Sequence, residues 1–189
     1  IKIDGINVRD FNIKALRKKI GFIRQKTLLF KGSIKSNIKF GKGEASHEEV
    51  VHSSKVAQAY DFITKKEKNF DEPIGEGGSN VSGGQKQRLS IARALVRKPE
   101  IYIFDDSFSA LDLKTDKALR KSLNEETKDA TVLIVAQRIS TIMNADKIVV
   151  LDEGKVVGCG THNELIENCQ VYQEIALSQL SKEELSNAK

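Results

Sequence analysis

The sequence predicts an α/β protein built on a parallel sheet with helices on both faces. Residues 101–104 form a continuous apolar run that ends at two aspartates, and residues 131–136 form a second run of this kind. Strands that are buried on both faces of a parallel sheet have this composition. A helical pattern follows each run, and alternation of strands with helices is typical of α/β sheets.

The first half of the chain predicts short elements followed by a longer helix. An Asp-Gly pair between two alternating segments predicts a hairpin over residues 1–8. The next predicted elements are a helix over 12–19, a strand over 20–23 and a short helix over 33–38. Ser46 and Glu49 have the spacing of a capping box, which predicts one helix that continues to about residue 66.

The second half predicts strands and helices in alternation. A glycine-rich stretch over residues 75–84 leads into a helix that reaches residue 97 and is ended by Pro99. The later predicted elements are strand 101–104, a helix over 115–126, strand 131–136, a short helix to 144, and strands 147–151 and 155–157. Thr161 and Glu164 have capping-box spacing and open a helical end, which passes into a polar tail after residue 179.

The composition indicates a globular protein with an ordinary core. The chain has 189 residues, of which 39% are hydrophobic, and a formal charge of +5. No apolar run approaches the roughly 18 residues that a membrane span requires, and the first residues show no signal-peptide pattern. Cys159 and Cys169 are too few for a disulfide framework, so we expect reduced thiols. The chain is therefore expected to be neither transmembrane nor secreted.

Basic residues are concentrated at the start of the chain. Residues 1–42 contain twelve Lys or Arg and two Asp, a net charge of +10. A solvated face, a surface for an acidic partner or anionic lipid, and a nucleic-acid surface are the three interpretations. Because the basic residues alternate with apolar ones, as in residues 13–20, the pattern favours the solvated face.

Ser82, Gly83, Gly84 and Gln85 open the helix that precedes the first apolar strand. Ser-x-x-Gln is a capping box by itself, which would be a purely structural role. Each glycine, however, costs a helix about 1 kcal/mol relative to alanine. Glycines here leave bare N–H groups at the positive end of the helix dipole, where a phosphate can approach. The residues alone leave both interpretations open.

Asp105 and Asp106 follow the first apolar strand directly. Ligands of open parallel sheets bind at the carboxyl ends of the strands, and a carboxylate there can hold Mg²⁺ beside a substrate phosphate. The alternative is a pair of surface aspartates that open a loop.

Three segments in order resemble the motifs of ABC-type ATPases. Residues 80–95, 101–106 and 109–112 are similar to the signature motif, the Walker B strand and the D-loop. The resemblance covers the whole chain and implies a P-loop NTPase-like ABC ATPase core with a helical subdomain, with ATP and Mg²⁺ as ligands. By this resemblance Asp105 binds the metal, and nucleotide is bound by Ser82, Gly83, Gly84, Gln85 and Asp112.

Further motifs are similar to the exporter branch of this family. Gln25 matches the Q-loop glutamine, which implies contacts to metal and nucleotide and coupling to membrane domains, and residues 74–78 resemble the exporter X-loop. The implied segments are a β-subdomain remnant with the Q-loop over 1–40, the helical subdomain over 41–98, the rest of the ATPase core over 99–178, and a polar tail over 179–189.

The chain departs from the family pattern at three places. The phosphate loop, Gly-x-x-x-x-Gly-Lys-[Ser/Thr], does not occur in the sequence. The core is therefore expected to lack the phosphate-loop strand and helix, and to expose apolar surface on residues 101–104 and 131–136. At the two catalytic positions, Asp106 stands where active members have glutamate, and Gln137 stands where they have the switch histidine.

These departures weaken one ATP site and leave the signature motif intact. The resemblance then implies one half of a heterodimeric exporter, at the cytoplasmic face of the membrane. Its expected partners are a second nucleotide-binding domain and the transmembrane domains, and not nucleic acid. The expected parent activity is ATP hydrolysis, with this chain alone inactive. A soluble ATPase acting on nucleic acid and a non-hydrolysing regulatory module are the alternatives.

The other polar side chains suggest structural roles. His47 and His52 are expected on the surface, and His162 in a loop. Four basic residues on the signature helix predict a solvated face, with anion binding by the first two as the alternative: Lys86, Arg88, Arg93 and Arg97.

Overall fold

The structure, a computed structural model, describes residues 1–179, and the predicted tail beyond residue 179 lies outside this range. The chain divides into two compact units, Ile1–Val135 and the residues from Ala136 onward. Each unit is described by itself.

The first unit alternates short strands with helices, as predicted. Its strands are β1 (Lys2–Ile3), β2 (Ile6–Asn7), β3 (Ile20–Ile23), β4 (Gly32–Ser33), β5 (Pro73–Ile74), β6 (Ile101–Asp105) and β7 (Thr131–Val135). Its helices are α1 (Ile13–Lys19), α2 (Ile34–Lys39), α3 (His47–Val56), α4 (Tyr60–Thr64), α5 (Gly83–Leu95) and α6 (Leu113–Glu126). The capping boxes predicted at Ser46 and Ser82 are present, because each serine bonds the backbone N–H three residues on.

The predicted parallel sheet is confirmed, with three strands in the order β3-β6-β7. Ile20 lies opposite Ile101, and Ile101 lies opposite Thr131, with all three strands parallel. Because the strands are parallel, their carboxyl ends meet at one edge of the sheet. The predicted hairpin at the start is also present, as β1 paired antiparallel with β2.

The sequence gives two opposed predictions for the apolar strands. Their composition predicts burial on both faces, and the absence of the phosphate-loop strand and helix predicts exposed apolar surface. Tyr102 and Phe104 on β6 are buried, with exposed fractions of 3% and 1%, whereas Leu133 and Val135 on β7 are 54% and 51% exposed. The prediction of an exposed strand is therefore correct for β7 and wrong for the inward side chains of β6. On β6 the ring of Phe104 packs against those of Tyr102 and Phe108, whereas β7, at the edge of the described sheet, leaves side chains of both faces exposed.

The single helix predicted from Ser46 to about residue 66 is wrong, because two helices occupy this range. Between α3 and α4, Gln58 adopts a left-handed backbone with φ +55°. Its carbonyl accepts a hydrogen bond of 2.6 Å from Arg88 on α5, and its side chain donates to Ser122 over 3.0 Å. These contacts come from distant parts of the chain and stabilise a conformation that a continuing helix cannot adopt.

Three of the four basic residues that were predicted to form a solvated face bind backbone carbonyls instead: Arg88, Arg93 and Arg97. Arg93 donates to the carbonyl of Asn37 over 2.9 Å, and Arg97 donates to the carbonyl of Arg17 over 2.8 Å. Burial lowers the pKa of Arg88 and of Arg93 from the ordinary arginine value. Arg88 and Arg93 therefore attach α5 to backbone carbonyls of neighbouring segments, and Arg97 does the same for the residues just after α5.

The second unit packs an antiparallel hairpin against helices. Its elements are α7 (Ile139–Ile142), β8 (Ile148–Asp152), β9 (Lys155–Gly160), α8 (His162–Asn168) and α9 (Gln170–Gln179). Glu153 and Gly154 join β8 to β9 with φ of +46° and +77°, the backbone that a tight two-residue turn requires. The predicted hairpin and the capping box at Thr161 are confirmed. Within residues 1–179, no helix is long and apolar enough to cross a membrane.

The prediction that His162 lies in a loop is wrong. His162 is the first residue of α8, is 5% exposed, and shares a 2.7 Å hydrogen bond between its Nδ1 and the hydroxyl of Tyr172. Its Nε2 is buried without a hydrogen-bond partner, and burial lowers the pKa of the ring from its ordinary value of 6.5. The fold therefore favours the neutral imidazole. Cys169 is buried, Cys159 is exposed, and neither thiol is in a disulfide.

We expect the second unit to lose stability as the pH falls below about 6.5, the ordinary histidine pKa. Above that pH the imidazole is neutral in both states. Below it, the unfolded chain binds a proton that the folded state resists, with a slope of up to about 1.4 kcal/mol per pH unit. Hydrogen exchange of residues 162–176 at pH 5.5 and 7.5 measures this loss. The variant His162→Gln should abolish it and His47→Gln should not; an equal loss in all three proteins would contradict the prediction.

Candidate nucleotide and metal site

Polar side chains from two strands meet at the carboxyl edge of the sheet. Gln25 follows β3, Asp105 ends β6, and Asp106 comes directly after that strand. The Nε2 of Gln25 donates a 2.8 Å hydrogen bond to Oδ2 of Asp106. The structure therefore brings together two of the predicted site residues that are 81 positions apart in sequence.

The loop after β6 is attached to both neighbouring strands. The backbone N–H of Asp106 donates to the carbonyl of Val135 at the end of β7 over 2.9 Å, and the hydroxyl of Ser107 donates to the carbonyl of Ile23 at the end of β3 over 2.9 Å. The hydroxyl of Ser109 donates back to the carbonyl of Asp106 over 3.0 Å. Ser107 was not singled out from the sequence, since no local pattern shows that its hydroxyl reaches another strand, whereas Ser109 opens the segment 109–112 that resembles the D-loop.

Asp106 has a left-handed backbone, with φ +44°. Aspartate and asparagine tolerate this region better than most residues, because their short polar side chains bond locally. The hydrogen bonds of this loop to Val135 and Ile23 hold this conformation. The position of the Asp106 carboxylate is therefore determined by the fold and by its hydrogen bond from Gln25.

The oxygen donors at this edge fit Mg²⁺. Magnesium binds through one or two carboxylates and fills its other positions with water and substrate phosphates. Asp105 supplies a carboxylate, and Gln25 has an amide oxygen left when its Nε2 donates to Asp106. In the described residues, no group of three or more His, Cys, Asp and Glu comes together to form a metal site from protein ligands alone.

The N-terminus of α5 is both capped and open. The Oγ of Ser82 accepts from the N–H of Gln85 over 3.3 Å, and the Oε1 of Gln85 accepts from the N–H of Ser82 over 3.2 Å. The structural interpretation of these residues is thus correct. A Cβ added to Gly83 would meet no atom within 4 Å, so the first turn is accessible. The first N–H groups of a helix have no intrahelical acceptor, so this turn also fits an anion.

The two glycines of this turn have different surroundings. A Cβ on Gly84 would lie 3.1 Å from the carbonyl oxygen of Ala110 and 3.6 Å from a methyl of Leu111. Glycine at position 84 therefore allows the loop over residues 109–112 to approach α5 closely. The sequence assigned one role to both glycines, and the structure separates them.

Asp112 lies at the end of that loop and caps α6. Its Oδ1 accepts from the N–H of Thr115 over 2.9 Å, and its Oδ2 accepts from the hydroxyl of Thr115 over 2.7 Å. These hydrogen bonds lower the pKa of Asp112 below its ordinary value. Its carboxylate is therefore ionised and oriented by the helix cap.

Gln137 belongs to the second unit. Its side chain is exposed, and its carbonyl accepts a 2.8 Å hydrogen bond from the Nε2 of Gln179 on α9. Gln179 thus anchors the backbone at the predicted switch position.

A parallel sheet with carboxylate and amide oxygens at its carboxyl edge, together with a glycine-opened helix N-terminus, is typical of α/β domains of the nucleoside-triphosphate-binding class. Residues 1–109 match the ABC transporter family. The chain belongs to the ABC transporter family and has the α/β fold of its ATP-binding domain.

Several known proteins are similar to almost the whole chain. It is 45% identical to the uncharacterized ABC transporter ATP-binding protein YfiB of Bacillus subtilis (strain 168), over 97% of this chain and 32% of that protein. It is 46% identical to a putative multidrug export ATP-binding/permease protein of Staphylococcus aureus (strain NCTC 8325 / PS 47), over 93% of this chain and 30% of that protein.

A solved structure shows the same fold. A bacterial Atm1-family ABC exporter with ATP bound superposes with a TM-score of 0.92 at 35% sequence identity, over 96% of this chain and 32% of that chain. The chain thus spans about a third of the length of the relatives that it matches.

Proposed function

We propose that the chain acts within an ABC exporter that uses ATP binding and hydrolysis to move a substrate across a membrane, and that its α5 N-terminus completes an ATP site on a second nucleotide-binding domain. The observation that carries this proposal is the accessible first turn of α5, where Gly83 has no neighbouring atom within 4 Å of an added Cβ. Ser82 and the free N–H groups would bind the γ-phosphate there, at the positive end of a 13-residue helix.

The site at the carboxyl edge of this chain's own sheet would be slow or silent. An aspartate carboxylate sits about 1.5 Å further back than a glutamate carboxylate. A misplacement of about 1 Å can lower a catalysed rate on the order of a hundredfold. In this structure the Asp106 carboxylate also accepts a hydrogen bond from the side-chain amide of Gln25. Gln137 can donate a hydrogen bond to a phosphate but cannot carry the proton of an imidazole.

ATP and Mg²⁺ have separate binding residues in this proposal. Asp105 and Gln25 would hold Mg²⁺, which neutralises charge on the phosphates when bound. Asp106 would orient water weakly, and Gln137 would contact the γ-phosphate. Gln85 maintains the cap that keeps Ser82 in place, and Asp112 orients the loop that contacts Gly84.

Exposed apolar side chains on the segments that follow Gln25 in the chain support docking to transmembrane domains at the cytoplasmic face of the membrane. Leu28, Phe30 and Phe40 are 58%, 40% and 68% exposed. The two phenylalanine rings lie 4.6 Å apart, and the guanidinium of Arg93 lies over both. Exposed apolar groups clustered in this way mark a surface for a protein partner.

We expect the chain alone to bind Mg-ATP only weakly and to hydrolyse none above background. Asp105 and Gln25 offer metal contacts, but the sequence contains no phosphate loop to hold the triphosphate. Titration calorimetry measures the affinity, with the complete ATP-binding domain of the Staphylococcus relative as positive control. Micromolar affinity in this chain would contradict the prediction, and a steep salt dependence of DNA affinity would support an ATPase acting on nucleic acid instead.

A further inference from the structure

One buried amide on α5 binds the chain on both sides of Gln25. Gln87 is 2% exposed and lies two residues beyond Gln85. Its Nε2 donates to the carbonyl of Arg24 over 3.3 Å, and its Oε1 accepts from the hydroxyl of Thr27. Both the nitrogen and the oxygen of the Gln87 side-chain amide are thus hydrogen-bonded to the segment that carries Gln25.

Arg93, further along the same helix, holds the next part of the segment. Its Nη1 donates to the carbonyl of Leu28 over 3.0 Å, and its Nη2 donates to Oδ1 of Asn37 over 2.9 Å. That oxygen also accepts from the N–H of Phe30 over 2.9 Å. The backbone after Gln25 therefore follows α5 and α2 through charged and amide donors.

Gln25 itself is exposed, and its side chain bonds Asp106. An exposed glutamine has several rotamers of similar energy, so a fixed backbone is needed for a persistent contact at 2.8 Å. The neighbouring residues Arg24 and Thr27 supply that fixed backbone through Gln87.

We propose that Gln87 is a positioning residue for Gln25. Through it, α5 sets the direction in which Gln25 meets Asp106 and the metal site. Because α5 begins at the turn of Ser82 and Gly83, one helix connects the phosphate-binding end offered to the partner with the glutamine of this chain's own site. This link between the two sites rests on the proposed function, whereas the positioning of Gln25 does not.

The test uses the ligand-free chain of 189 residues and observes Gln25 by ¹⁵N NMR. Its side-chain NH₂ signals are assigned by their loss in Gln25→Ala. In Gln87→Met, which keeps similar volume and removes both hydrogen bonds, we expect these signals to move toward those of a free glutamine. Amide exchange of residues 24–28 should rise about tenfold, as expected for the loss of a buried hydrogen bond.

A second pair of variants keeps the test decisive if Gln87→Met does not fold. Thr27→Val removes the hydroxyl at nearly constant shape and should reproduce the change, whereas Thr27→Ser keeps the hydroxyl and should restore the original signals. Asn80→Ala is the matched control, because Asn80 bonds Pro73 and Gly75 in another loop. Unchanged Gln25 signals in folded Gln87→Met or in Thr27→Val would overturn the proposal, as would an equal change in Asn80→Ala. The readout needs no nucleotide, so failure of the proposed function would appear in ATP turnover and not here.

Discussion

Replacing Gly84 by aspartate in the intact transporter is expected to lower ATP turnover by roughly a hundredfold or more, since one preorganised donor to a developing anion is worth about 3 to 4 kcal/mol. The new carboxylate would place negative charge at the helix end that we propose binds the γ-phosphate in the partner's site. It would also meet the carbonyl of Ala110, which lies 3.1 Å from the position of a Cβ at residue 84.

Variants at the two glycines of the turn separate the effect of added negative charge from the effect of steric crowding. Gly83→Asp adds the same charge where an added Cβ meets no atom within 4 Å, and Gly84→Ala adds the crowding without the charge. If repulsion of the phosphate is the cause, Gly83→Asp should lower turnover as much as Gly84→Asp. A normal rate in Gly83→Asp with a lost rate in Gly84→Ala would assign the effect to the loop over residues 109–112.

Asp106→Asn is the comparison that tests asymmetry between the two sites. Asparagine tolerates the left-handed backbone at this position and can still accept from Gln25, so the loop after β6 should keep its conformation. Turnover measured on purified transporter should fall only slightly, because in the proposed asymmetric pair little of the turnover passes through this site. Loss of turnover as complete as in Gly84→Asp would mean that the two sites are equivalent, and the heterodimer proposal would be wrong.

Gly41→Ala should lower the free energy of unfolding of the first unit by about 3 kcal/mol, the upper end of the cost of overpacking. A Cβ on Gly41 would overlap the backbone carbonyl of Arg93 on α5 and lie 3.1 Å from a methyl of Val96. A helix backbone cannot turn aside as a flexible side chain can, so the contact between α5 and the segment after α2 would have to open.

Gly43→Ala is the matched control, because an added Cβ at Gly43 meets no atom within 4 Å. Its effect should stay within about 0.5 kcal/mol, as for most surface substitutions. Urea unfolding followed by circular dichroism measures both variants. Equal midpoints for the two would show that α5 does not pack against Gly41 in solution.

Elements whose signals lie within a few residues could be predicted from the sequence. The Asp-Gly hairpin at the start, β6 and β7, and the capping boxes at Ser46, Ser82 and Thr161 all form where the patterns placed them. Each depends on hydrogen bonds or periodicity inside one segment, and such patterns can be recognised from residues that are close in sequence. The order of the three motifs along the chain was likewise sufficient to predict the ABC family.

Contacts between distant segments were decided by the tertiary structure. The break at Gln58, the partners of Arg93, and the different neighbours of Gly83 and Gly84 depend on residues far away in the chain, and the burial of His162 depends on Tyr172 in the next helix. The same is true of the site, where Gln25 reaches Asp106 because parallel strands bring their carboxyl ends to one edge. Local patterns specify which element forms, and burial and long-range hydrogen bonds specify what each side chain contacts.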